Sequence, residues 1–164
     1  MEEAAYYGKA EGICAIRAEG HMTAHLCPSL KARIHSDLDS AEPPRGVHFD
    51  LVACEYMDST FLGLIVGICK RLKALNGAKP VLHGTNEACT GLLKTIGVLG
   101  LVELSSGPAP LVEGMERVEG GQKATARFML DAHENLSDLS DENRSRFAGL
   151  ASALRKALGE DDKR

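Results

Sequence analysis

The sequence contains no tryptophan, and its aromatic share is only 4%. Proteins that bind single-stranded nucleic acid usually stack bases on aromatic side chains, so this binding mode is excluded in its usual form. The chain also lacks an excess of positive charge, because 19 Lys and Arg face 23 Asp and Glu, a net charge of −4. Partners that need a basic field, such as duplex nucleic acid or an anionic membrane surface, are therefore not expected.

Long hydrophobic runs are absent as well. The longest nearly apolar stretch, residues 61–69, has nine residues, whereas a membrane-spanning helix needs roughly 20. The first 12 residues are acidic and lack the basic and apolar regions of a signal peptide. We therefore expect a cytoplasmic protein with no membrane insertion.

The sequence has few of the motifs that carry metals, cofactors or hydrolytic chemistry. Its five cysteines form no CxxC pair, and its six histidines include no HExxH spacing. No GxGxxG, Walker or GxSxG sequence occurs. We expect free, buried thiols and no cofactor, no metal site and no enzymatic activity.

Strand-like and helix-like segments alternate along the first two thirds of the chain. This order predicts an α/β domain with a small, mostly parallel or mixed sheet of about four to five strands. A strand could begin at Tyr6 and Tyr7, and a turn is expected at residues 55–58. The predicted strands are residues 12–19, 47–54, 79–83 and 99–104, and the predicted helices lie around residues 28–38, 59–76 and 86–96.

The last 60 residues have a different character. Residues 106–121 have the Pro and Gly content of a linker, and residues 122–164 contain two helical segments. Each segment has one apolar stripe, and the short connection between them predicts an antiparallel hairpin. The stripes could pack on the preceding domain, residues 1–105, or on a second copy. A dimer-forming or partner-binding role is favoured, so a homodimer could form.

One short segment indicates function. Asp58, Ser59 and Thr60 follow a predicted strand and begin the strongest predicted helix. This position places the Ser59 hydroxyl beside free backbone N–H groups, where an attached anion is stabilised by those donors and by the helix dipole. An ordinary N-cap by Asp58 or Ser59 explains the same residues without any further function.

The wider segment resembles the STAS family of anti-sigma factor antagonists. These proteins carry an Asp-Ser-Ser/Thr-Gly-Leu-Gly signature at this junction, and the sequence here is Asp58-Ser59-Thr60-Phe61-Leu62-Gly63. Gly20 and Thr23 resemble the passage from the family's first strand to its first helix, and residues 92–101 resemble its final helix and exit. The resemblance covers about residues 10–105 and implies the STAS fold with an added C-terminal helical hairpin.

The resemblance implies a non-enzymatic switch. Unphosphorylated protein would bind a serine kinase/anti-sigma factor, phosphorylation of Ser59 would end binding, and a PP2C-type phosphatase would reverse it. Asp58, Thr60, Phe61, Gly63 and Thr23 would form the partner-binding surface. Phe61 replaces the family's usual glycine, and we expect it to be partly exposed and to influence partner choice.

Two other functions stay open. STAS-like domains also serve as phosphorylation-independent subunits of transporter or signalling assemblies, in which case Ser59 would only cap a helix. A small enzyme could use Cys54 or Ser59 as its nucleophile, but no histidine lies near either residue in sequence. Gly63 and Gly67 form a GxxxG pattern that suits close packing of the helix on the sheet.

Overall fold

A computed structural model describes residues 1–121 and 123–160. Within these residues the chain forms seven strands, five α-helices and one 3-10 turn at Leu99–Leu101. The strands are β1 (Ala4–Ala10), β2 (Ile13–Met22), β3 (Gly46–Asp50), β4 (Cys54–Met57), β5 (Val81–His83), β6 (Glu103–Ser105) and β7 (Glu116–Arg117). The helices are α1 (Cys27–Leu38), α2 (Ser59–Asn76), α3 (Glu87–Ile96), α4 (Ala126–Ser137) and α5 (Asp141–Ala157).

The sheet is mixed, with spatial order β6-β5-β3-β2-β1-β7 and β4 paired with β2. Parallel pairs join β2, β3, β5 and β6, and β1 lies antiparallel to both β2 and β7. The predicted fold class is confirmed, although the described residues form more strands than the expected four to five. The additional strands are short pieces that the hydrophobic pattern does not mark.

The first two strands form a tight hairpin. Ala10 pairs with Ile13, which leaves a two-residue loop of Glu11 and Gly12. Both loop residues have positive φ, 50° and 80°, as in the turns whose twist matches paired antiparallel strands. The sequence prediction that a strand could precede residue 12 is therefore confirmed.

The predicted strand at residues 47–54 is in fact two strands, and the predicted turn at 55–58 is wrong. Strand β3 ends at Asp50, whose side chain accepts a hydrogen bond from the Val52 N–H at 3.2 Å and turns the chain. Strand β4 then pairs with the far end of β2 instead of continuing beside β5. This step carries the chain to the start of α2 through a strand instead of a loop.

Helix ends agree closely with the sequence signals. Asp58, Asn86, Thr125 and Ser140 each accept a hydrogen bond from a backbone N–H in the first turn of the helix that follows. Gly77 and Gly97 end α2 and α3 with φ of 77° and 85°. In contrast, the predicted strand at 99–104 consists of the 3-10 turn followed by β6.

Residues 106–121 pack on the sheet along part of their length. Strand β7 pairs with Tyr6 and Tyr7 at the edge of β1, and Val118 is buried. Gly8 permits this approach, since a Cβ atom there would lie 2.7 Å from Val112 Cγ1. The Pro and Gly content thus describes an irregular segment that still contributes to the domain.

Helices α4 and α5 form the predicted hairpin, and α4 packs on α2 of the same chain. Leu130, Ala132 and Leu136 of α4 are buried, as are Phe147 and Ala151 of α5. The favoured expectation, that these stripes are left for a second copy or a partner, is wrong for the buried residues. In the apolar stripe of α5, Leu150 stays 41% exposed. Gln122 and residues 161–164, which belonged to the predicted extension, lie outside the described residues.

Among the described residues, no helix combines the length and the apolar character needed to cross a membrane.

A histidine pair connects β3 to β5. His83 Nδ1 donates to the Gly107 carbonyl at 3.3 Å, so His83 Nε2 accepts the 2.9 Å hydrogen bond from His48 Nδ1. Burial and the neighbouring His83 lower the pKa of His48, against an opposing effect of Glu103. On α1, burial and then Lys31 lower the pKa of His35.

These lowered pKa values predict that acid destabilises the protein. The unfolded chain takes up protons at the ordinary histidine pKa near 6.5, whereas folded His48 and His35 resist protonation. The free energy of unfolding should therefore be fully retained above that value and fall as the pH is lowered through it. Urea unfolding at pH 7.5 and 5.5 measures the difference, and the His48→Gln/His35→Gln variant should show a smaller one. An equal difference in both proteins would contradict the assignment.

Candidate functional site

The site is built on the junction between β4 and α2, and Asp58 holds this junction together. Its Oδ1 accepts from the Phe61 N–H at 2.9 Å, and its Oδ2 accepts from the Ala24 N–H at 3.2 Å. The Asp58 N–H in turn donates to the Met22 carbonyl at 2.9 Å. One carboxylate thus caps α2 and fixes the loop between β2 and α1 beside it.

Ser59 is the first residue of α2, and its hydroxyl contacts a histidine 74 positions later in the sequence. Ser59 Oγ lies 2.8 Å from Nε2 of His133 on α4. His133 Nδ1 lies 2.7 Å from the Met129 carbonyl, which can only accept a hydrogen bond. In the neutral imidazole, Nδ1 then carries the proton and the Ser59 hydroxyl donates to Nε2.

Thr60 and Gly63 lie under α4. Thr60 is 2% exposed, and its hydroxyl contacts Met129 Sδ at 3.6 Å. A Cβ atom on Gly63 would lie only 2.3 Å from the Ala132 carbonyl oxygen. Helix α4 therefore covers the surface on which we expected a partner to dock. The two glycines of the GxxxG pattern allow close packing against α4, and not against the sheet as expected.

The expectation that Phe61 is partly exposed is wrong. Phe61 is fully buried, and its ring meets that of Phe49 on β3 edge-on, with centroids 6.2 Å apart. The expectation assumed that α2 buries a single face. Because α4 covers the opposite side, the first turn of α2 is buried almost all round, and Phe61 is a core residue.

Thr23 lies in the loop that Asp58 fixes, next to Ala24. Its N–H and its hydroxyl both donate to the Glu3 carboxylate, at 2.6 and 3.0 Å. These contacts tie the loop to the N-terminal segment before β1. The structure thus brings Thr23 to the Asp58 side of the junction, with its polar atoms engaged by Glu3.

His133 and Asn135 are site residues that sequence reasoning missed. Asn135 Nδ2 donates to the Gly63 carbonyl at 3.3 Å, and its Oδ1 accepts from Lys70 Nζ at 3.1 Å. One sequence signal could have indicated that His133 is buried: it adjoins Ala132, within a helix whose apolar stripe needs burial. The partners of these side chains, however, lie about 70 positions away and have no mark in the sequence.

The two candidate nucleophiles have different surroundings. The Cys54 thiol is buried, and its contact with Cys89 and then burial raise its pKa, so it stays protonated and unreactive. Ser59 does have a base within hydrogen-bonding distance. His133, however, is 1% exposed and packs edge-on against Phe147 at 5.4 Å. The pair therefore joins two packed helices and offers little room for a substrate.

Comparisons with known proteins are consistent with this architecture. The family model described as "STAS domain" matches residues 7–108. No curated protein matches the chain by sequence. Among solved structures, the anti-sigma factor antagonist SpoIIAA in its unphosphorylated form is 16% identical, with a TM-score of 0.51 over 62% of this chain and 86% of that chain.

Two further structures give the same result. Phosphorylated SpoIIAA, a Bacillus cell fate determinant, has a TM-score of 0.51 at 16% identity. The match covers 62% of this chain and 91% of that chain. A candidate anti-sigma factor antagonist from Thermotoga maritima has a TM-score of 0.54 at 19% identity, covering 62% and 85%. At these identities the likeness shows the fold alone.

The burial of Phe61 predicts a large structural cost for its removal. Phe61→Ala should lower the free energy of unfolding by about 3–5 kcal/mol, because a buried ring against Phe49 is replaced by a cavity. Urea denaturation of the full chain measures the change. Leu111→Ala is the control, since Leu111 is 99% exposed and should change stability by less than about 0.5 kcal/mol. Equal effects of the two substitutions would contradict a core role for Phe61.

Proposed function

Because the chain belongs to the STAS domain family, we propose that it is an anti-sigma factor antagonist controlled by phosphorylation of Ser59. Its unphosphorylated form binds a serine kinase/anti-sigma factor and so regulates transcription by partner switching. A PP2C-type phosphatase removes the phosphate and restores binding. The protein itself performs no chemical reaction in this cycle.

The observation that carries the proposal is the position of the Ser59 hydroxyl. It lies on the first residue of α2, immediately after the Asp58 cap and at the end of β4. The N–H groups of a first helical turn have no partners within the helix, and the helix dipole favours negative charge there. A phosphate on Ser59, with about −1.5 to −2 charges, suits this end of the helix.

Phosphorylation would change binding for a physical reason. A small hydroxyl at the helix start allows another surface to approach closely, whereas a hydrated dianion has to lose water and needs more space. The names of the SpoIIAA structures record that this related fold exists in both unphosphorylated and phosphorylated forms. We propose that Ser59 is the equivalent acceptor here, with Asp58, Thr60, Gly63 and Thr23 close to the partner.

We also propose the cellular setting and the division of the chain. All five cysteines are buried and unpaired, which suits the cytoplasm, where thiols stay reduced. In this division, residues 1–105 are the switch domain and Phe61 supports its site from the core. Residues 106–121 connect the switch domain to the extension at 122–164 and also add β7 to its sheet.

A phosphorylation-independent structural subunit is the second candidate. The contact between Ser59 and His133 favours it, because a hydroxyl engaged by α4 is less available to a kinase. In this role the α4–α5 hairpin would be a permanent part of the fold, and Ser59 would only begin α2.

The decisive prediction is that Ser59 is the principal phosphoacceptor. Peptide mapping by mass spectrometry of full-length protein from its own cells should find phosphate at Ser59. Ser59→Ala should abolish the modification and keep partner binding, and Ser59→Asp should weaken that binding. Thr60→Ala is the control and should leave the phosphate in place. Phosphate at Thr60 with Ser59 unmodified would contradict the proposal, and no phosphate at either residue would favour the structural subunit.

A further inference from the structure

One face of α2 carries only small residues in its first turns and ends in a lysine. Ser59, Gly63, Gly67 and Lys70 follow one another at spacings of four, four and three residues, so they lie on one side of the helix. We call these four residues the outer face of α2. The opposite side carries the large buried residues, Phe61, Leu62, Ile65, Ile68 and Leu72. The sheet side therefore supplies much of the apolar burial of this helix. The hairpin adds Leu136 and Phe147 to the same apolar core, so opening the outer face also exposes these two side chains.

Helix α4 lies on the outer face through polar contacts and close backbone approach. At one end Ser59 bonds to His133, and at the other Lys70 Nζ pairs with Asp138 Oδ2 at 3.2 Å. Between them, the absence of side chains at Gly63 and Gly67 makes room for Ala132 and Asn135. From the Ser59–His133 contact to the Lys70–Asp138 contact, residue numbers increase along both helices, so α4 and α2 run in the same general direction.

This contact is less complete than the packing of the sheet. His35 Nε2 is buried and has no hydrogen-bond partner among the described residues. A crevice of about 20 Å³, room for about one water molecule, lies beside it among Gly63, Gly67 and Ala132. Helices α4 and α5 pack extensively on each other. Displacement of the hairpin as a unit would also break the 2.8 Å hydrogen bond from Asn143 Nδ2 to the Ile96 carbonyl. The family match ends at residue 108, before the hairpin begins.

We propose that the α4–α5 hairpin is a displaceable cap, and that it competes with partner and kinase for the outer face of α2. This proposal rests on the proposed function, because a cap over the outer face controls partner binding only if Ser59 lies in the partner-binding surface. In the closed state α4 occupies the outer face, and His133 holds the Ser59 hydroxyl. In the open state the outer face offers Ser59, two glycines and Lys70 to a partner. The partner that fits is one that, like α4, presents a helix with a small residue opposite Gly63 and an acidic group near Lys70.

Thiol labelling of the full chain tests the cap without any partner. In a Thr60→Cys variant, the introduced thiol replaces the hydroxyl of a residue that is 2% exposed, and that hydroxyl contacts Met129 of α4. N-ethylmaleimide modification of each cysteine is followed over time by peptide mass spectrometry. Buried Cys14 and Cys54 report global unfolding. A displaceable cap predicts that the introduced thiol at position 60 reacts faster than Cys14 and Cys54, because α4 opens locally. It should also react at least about tenfold more slowly than in the urea-unfolded chain, because the closed state buries it.

Ala132→Glu, added to Thr60→Cys, should accelerate labelling of the introduced thiol by about tenfold or more. A carboxylate at residue 132 cannot be accommodated against Gly63, so the open state is favoured. Ala148→Glu makes the same chemical change at an exposed position of α5 and should leave the rate unchanged. Should Ala132→Glu unfold the whole chain, seen as fast labelling of Cys14, Asn135→Ala removes two hydrogen bonds to α2 and should give a smaller acceleration.

Two results would overturn the cap. Labelling of the introduced thiol as fast as in the unfolded chain would mean that α4 does not protect the site. Labelling as slow as that of Cys14 would mean that the hairpin leaves only when the whole domain unfolds. The labelling experiment tests the cap, and its result does not depend on what peptide mapping finds at Ser59. Absence of phosphate at Ser59 would overturn the proposed function and would leave the labelling result unchanged.

Discussion

Helix α2 is buried between the sheet on one side and α4 on the other, and this constraint governs the rest of the structure. Phe61 and Leu62 face the core, where large apolar side chains fill the space beside Phe49. Gly63 and Gly67 face α4, where any Cβ would meet its backbone or side chains. The same helix therefore needs bulk on one side and the absence of bulk on the other, within four consecutive turns.

The start of α2 combines two demands on a single hydroxyl. Asp58 fixes the first turn by bonding the Phe61 N–H, so the position of Ser59 is determined by a local cap. In the described structure Ser59 Oγ lies 2.8 Å from His133 Nε2. A phosphate could not keep this contact, because it brings three oxygens and a new charge to a space now filled by an imidazole. Under the proposed function, modification of Ser59 and closure of α4 would be physically linked in this way.

Phe61 shows how tertiary context changes the meaning of a motif residue. In the STAS signature the position is usually glycine, and a substitution there suggests a changed contact surface. In this chain the ring points into the core, and α4 supplies a surface that the common domain lacks. The departure from the signature is a packing change, and it occurs next to the added hairpin.

Local signals in the sequence determined the helices, their caps and the Ser59 position. Asp58, Asn86 and Ser140 cap helices, and Gly77 ends one, because these effects act within a few residues. The hydrophobic pattern did not predict the short strands β4 and β7. These strands are held by pairing with distant strands and not by their own periodicity.

Only the tertiary structure decided what covers the site. The apolar stripes of α4 and α5 showed that these helices must be buried, but not against which surface. The contacts of Ser59 with His133 and of Gly63 with Ala132 join residues about 70 positions apart, and such contacts depend on the path of the whole chain. The sequence by itself therefore determined the helix start and its serine, and packing between distant helices determined how that serine is protected.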